Sequence, residues 1–81
     1  MLREDGARRL TDIMRNIFDE EDVEFRDGLT ADDVEGWDSL SHVRFMIAVE
    51  KNFGLRFNSS EIDGFKNAGE MLDVIVRRAT I

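Results

Sequence analysis

The segment from Ser39 to Gly54 constrains the fold more than any other part of the chain. At about 100° per residue, Phe45, Met46, Val49 and Phe53 form one broad apolar face of a helix. Leu40, Val43 and Ile47 recur at i, i+3 and i+7 and form a second stripe, turned away from the first. The two together cover more than half of the circumference, whereas a surface helix needs a stripe of only about 100°. Such a helix is either central and buried on both sides, or it leaves one stripe exposed for a partner.

The rest of the chain must supply the cover. Ala7, Leu10, Ile13, Met14, Ile17 and Phe18 predict a first helix over 4–18. An acidic, irregular connection of about 20 residues follows, with Gly28 and Gly36 as breakers, Leu29 and Val34 as anchors, and a capping pair at Thr30 and Asp33. The second helix starts at Asp38 or Ser39 and stops at Gly54, a residue suited to a left-handed C-terminal turn. Leu55 and Phe57 carry the chain back over the core. Ser59 or Ser60 is expected to cap a short third piece containing Ile62. Asn67 and Glu70 cap a last helix that buries Met71, Leu72, Ile75, Val76 and Ala79, with Arg77 and Arg78 at its C-terminal end. The 81 residues are expected to make a single domain, 1–81. A core of this size supplies roughly 3–5 kcal/mol of net stability. There is no cysteine to add a disulfide, and His42 alone does not make a zinc site.

Charge narrows the function. The formal net charge is −7, so phosphate backbones are repelled and nucleic acid is a poor partner. Between Asp19 and Asp38 there are ten carboxylates and one base, Arg26. The simple role of that run is solvation; the sharper one is to steer a basic partner. No apolar run is long enough to span a bilayer, and the N-terminus has no signal-peptide core. The expected setting is the cytoplasm, with no membrane association.

Ser39 stands where the acidic stretch ends and the apolar helix begins. Free amides and the positive dipole end of a helix N-terminus stabilise an attached phosphate. The plainer alternative is that Asp38 or Ser39 simply caps the helix. Catalysis is disfavoured: His42 lies one helical turn away, but no nucleophile elbow surrounds the serine. A single histidine on the core side reads as a packed residue. The carboxylates lack calcium-loop spacing, and there is no glycine-rich phosphate loop. An enzyme is not expected.

The string Asp38-Ser39-Leu40, then Val43, the apolar run Phe45 to Val49, Glu50, and Phe53-Gly54-Leu55-Arg56-Phe57 resembles the acyl carrier proteins. The resemblance runs from near Ala7 to near Arg78. It implies an all-α four-helix bundle of acyl-carrier type, with a long loop between helices one and two and a short third helix. It implies a 4′-phosphopantetheine arm on Ser39, beside Asp38, added from coenzyme A by a phosphopantetheinyl transferase. The arm would hold an acyl or aminoacyl group as a thioester. It would present that group to a loading ligase or transferase and to downstream synthases. Leu40, Val43 and Ile47 match exposed partner contacts, with Arg44, Glu50 and Lys51 beside them. Phe45, Met46, Val49, Phe53, Phe57, Phe65 and Ile75 match core or pocket-lining positions, and His42 and Phe65 border the arm's entrance. Trp37 is a loop anchor, or a contact for the arm or a partner. The chain departs from carriers of fatty-acid synthesis, whose second helix is usually strongly acidic. From Ser39 to Gly54 there are two bases and one acid. A specialised pathway is therefore expected, and a monomer. The alternative is an unmodified helical adaptor that binds partners through the stripe on helix two.

Overall fold

A computed structural model describes residues 1–79; the last two residues of the expected 1–81 domain lie outside the described residues. The described chain is all-helical. Helices α1 (Arg3–Phe18), α2 (Ser39–Phe53), α3 (Ser59–Gly64) and α4 (Ala68–Arg78) follow in order, with a 3-10 turn at Ala31–Asp33 in the long connection. α1 packs against both α2 and α4. No helix among the described residues is long and apolar enough to cross a membrane.

α1 begins one residue earlier than its periodicity predicts and has no side-chain cap. The first intrahelical bond runs from the Gly6 amide to the carbonyl of the N-cap residue, Leu2, at 3.0 Å. Leu10, Ile13, Met14 and Phe18 are buried; Ala7 and Ile17 are half-buried.

The acidic connection is held at three apolar points, Val23, Leu29 and Val34. Between the last two, Asp33 Oδ2 accepts from the Thr30 amide at 3.0 Å and from its hydroxyl at 3.1 Å. The connection then closes over the start of α4. The Ala68 amide donates to Leu29 O at 2.8 Å and the Gly69 amide to Asp27 O at 3.0 Å. Two amides left over at a helix N-terminus are thereby satisfied by loop carbonyls. The approach is so close that a Cβ on Gly69 would lie 2.7 Å from Asp27 O.

α2 ends as its sequence predicts. Gly54 adopts φ 66°, and the amides of Gly54 and Leu55 both donate to Glu50 O, at 3.0 and 3.2 Å. α3 differs from expectation: its cap is Asn58, one residue before the two serines. Asn58 Oδ1 accepts from the Glu61 amide at 2.8 Å, and Glu61 Oε1 accepts from the Asn58 amide at 3.0 Å. Only Asn58 places a glutamate three positions on, which makes the reciprocal box possible. Glu61 also takes Arg78 Nη1 at 2.7 Å, tying the end of α4 to the start of α3. Asn67 caps α4 as expected. Met71, Leu72 and Ile75 are buried on it, but Val76 is only half-buried and Ala79 lies just past the helix. Ala68 and Gly69 are buried too, because the connection covers them.

Candidate functional site

The two stripes of α2 have different fates. Phe45, Met46, Val49 and Phe53 are at most 1% exposed. Leu40, Val43 and Ile47 are 73%, 51% and 46% exposed. The helix is therefore buried on one side only, and its second stripe faces solvent.

At its head, the cap is Asp38. Its Oδ1 accepts from the Ser41 amide at 2.8 Å, and its backbone carbonyl accepts from the His42 amide at 2.8 Å. The bonds from Ser41, first to its amide and then to its hydroxyl, hold the Asp38 carboxyl below the usual carboxylate range. Ser39 is the first residue of the helix and is exposed. Among the described residues its hydroxyl has no hydrogen-bond partner. Of the two candidate caps, Asp38 takes the role and Ser39 does not.

The lowered Asp38 value has a consequence for stability. The folded state holds the carboxylate form, so Asp38 stabilises above the ordinary carboxylate value, and that contribution is lost as pH falls through the lowered folded value. Carboxyl NMR during an acid titration should find Asp38 titrating below a free aspartate. The acid-induced fall in melting temperature should be smaller in Asp38→Asn.

His42 is fixed from both sides. Trp37 Nε1–H, which can only donate, points at Nδ1 at 3.0 Å, so Nδ1 is the unprotonated nitrogen. Nε2 then carries the proton and donates it to Ile62 O at 3.0 Å. With both ring nitrogens occupied, His42 offers no lone pair to Ser39, and a serine–histidine dyad is not assembled. Trp37 stacks on Phe18 with ring centroids 5.1 Å apart and meets Phe45 edge-on at 5.5 Å. The indole anchors the end of the acidic connection, as its first alternative has it. This three-part link from loop to α2 to α3 was not visible in the sequence, where residues 37, 42 and 62 share no local pattern.

A cleft of about 760 Å³ opens beside Ser39. Trp37, Val43, Ile62 and Phe65 give it apolar walls, and Thr30, Asp32, Asp63 and Lys66 are among the residues of its polar edge. Phe65 is half-buried and packs edge-on against Phe57 at 5.3 Å.

The charged residues of α2 do not act alike. Arg44 and Lys51 are exposed and, among the described residues, make no ion pair. Glu50 is half-buried, and its Oε2 accepts the Phe57 amide at 2.8 Å.

No family model matches the sequence, and no curated protein matches it. Among solved structures, the chain is similar to the solution structure of a holo acyl carrier protein from Geobacter metallireducens. The two are 29% identical, with a TM-score of 0.84, over 90% of this chain and 84% of that one.

Proposed function

We propose that this chain, similar in fold and in sequence to a holo acyl carrier protein, acts as a carrier rather than an enzyme, and that Ser39 is the attachment point of its 4′-phosphopantetheine arm. The observation that carries this reading is the division of labour at the head of α2. Asp38 does the capping, and the neighbouring hydroxyl is left exposed and without a partner. The surroundings fit such a group: the cleft beside Ser39 has apolar walls for an extended chain and polar groups at its rim. Ser39 Oγ attacks the pantetheine-bearing phosphorus of coenzyme A and loses its proton; the new O–P bond replaces the diphosphate P–O bond, and adenosine 3′,5′-bisphosphate leaves. His42 cannot take that proton with both nitrogens engaged, so the base comes from a separate phosphopantetheinyl transferase. Once attached, the arm supplies a thiol that holds an acyl or aminoacyl cargo as a thioester.

The remaining work is presentation. Leu40, Val43 and Ile47 form the contact that loading enzymes and downstream synthases bind, and tethering raises the effective concentration of the cargo at each of them. Arg44 and Lys51 in place of acids support a specialised rather than a housekeeping fatty-acid pathway. The working unit is the single domain 1–81, a cytoplasmic monomer. Incubation with a promiscuous phosphopantetheinyl transferase and coenzyme A should add one phosphopantetheine to the intact mass. An unchanged mass would sink the carrier reading and favour an unmodified adaptor acting through the same stripe.

Val43 tests the presentation surface. It is half-exposed, so Val43→Ala should change stability by less than about 0.5 kcal/mol. The methyl groups it loses would be buried by a partner, so docking to the transferase should weaken by about fivefold, on the order of 1 kcal/mol. A large drop in melting temperature with unchanged transfer kinetics would make Val43 a packing residue instead.

A further inference from the structure

The second stripe of α2 is flanked unevenly. At about 100° per residue, Arg44 and Lys51 fall on one flank of Leu40, Val43 and Ile47, and Glu50 falls on the other. Glu50 is the one acid between Ser39 and Gly54, and it turns its Oε2 to the Phe57 amide. A hydrogen bond from a buried-side amide to a carboxylate is among the stronger ones, so that acid is committed inward. Arg56 is exposed at the same end, beside a groove that also takes in Ile47 and Lys51. Among the described residues the side chains of Arg44, Lys51 and Arg56 make no ion pair. The acids lie elsewhere: ten of them stand between Asp19 and Asp38. The protein is acidic as a whole, yet its exposed apolar stripe is bordered by positive charge alone on the Arg44 flank.

We infer that the partner docking on α2 is a protein surface that presents carboxylates toward Arg44, Lys51 and Arg56, around an apolar depression that takes Leu40, Val43 and Ile47. That the partner is an enzyme acting on the arm rests on the reading of Ser39; the chemistry of the surface does not. Charge complementarity selects partners and fixes their orientation more than it adds affinity. An acidic docking face is drawn to α2 and repelled by the connection before it, so it can approach in only one sense. A basic face has the opposite preference and is steered to the connection.

Two synthetic amphipathic helical peptides test this, each with a leucine stripe, one flanked by glutamates and the other by lysines. Amide chemical shifts of the full chain should move at Leu40, Val43, Arg44, Ile47 and Lys51 with the glutamate peptide. That peptide should bind this face roughly fivefold more tightly than the lysine peptide at low salt. Arg44→Glu with Lys51→Glu should reverse the preference while the circular dichroism and melting curve stay native. The inference is overturned if the lysine peptide takes this face more tightly, if the glutamate peptide leaves α2 unperturbed, or if the double variant binds both peptides as before. The mass of the transferase product reports separately on Ser39, so failure of the one reading is not mistaken for failure of the other.

Discussion

Ser39→Ala should give a protein that folds like the parent and gains no mass with coenzyme A and a phosphopantetheinyl transferase. Both halves follow from the head of α2. The helix cap is the Asp38 carboxylate on the Ser41 amide, so removing the Ser39 hydroxyl breaks no hydrogen bond of the fold. Alanine is the better helix former at an exposed first-turn position, and the stability should stay within about 0.5 kcal/mol of the parent. The effect on modification is all or none, since the phosphodiester needs the oxygen. Ser41→Ala is the control: it removes a hydroxyl that bonds Asp38 but keeps the amide that makes the cap and the Ser39 oxygen, so it should still be modified. A mass gain that persists in Ser39→Ala would place the arm on another hydroxyl.

The largest expected effect on stability is at Gly69. A Cβ there would sit 2.7 Å from Asp27 O and 2.9 Å from Asp27 Cα, both backbone atoms that cannot swing aside. Relief requires the connection to lift, which breaks the bonds from the Gly69 and Ala68 amides to Asp27 O and Leu29 O. It also draws Leu29 out of the core. Overpacking of this kind costs about 1–3 kcal/mol, a large part of the roughly 3–5 kcal/mol that a domain of this size retains. Thermal melts of Gly69→Ala should therefore show a loss of many degrees. Gly28→Ala has nothing within 4 Å of the added methyl and should melt near the parent. Equal melts for the two variants would mean that the connection is not pressed against α4.

The parts of the fold that could be read from sequence are those written in local patterns. The faces of α1 and α2, the Thr30–Asp33 box, the Asn67 cap and the Gly54 stop are each written within one or two helical turns. The expected cap of α3 failed on a local detail: Ser59 and Ser60 are good caps in general, but only Asn58 has Glu61 at the position that answers it. The exposed state of Leu40, Val43 and Ile47 was left open by periodicity, because a stripe does not say whether another element will cover it. What escaped entirely was the long-range pairing. Glu50 with Phe57, Trp37 with His42, His42 with Ile62, and Gly69 under Asp27 depend on elements meeting in space. Such pairs leave no spacing to detect. The candidate serine was legible because the helix start and the family-like string coincide on it. Its freedom from capping was not legible, since Asp38 and Ser39 are both competent caps.

Trp37 is the chain's one tryptophan, two residues before Ser39 and on the wall of the same cleft. Every photon of indole emission from this protein therefore originates beside the candidate attachment point. The bond to His42 and the stacking on Phe18 hold that chromophore in a single setting. The molecule contains its own optical probe. Changes at the head of α2 can be followed in the native chain, in real time, without a label that would itself crowd the docking face.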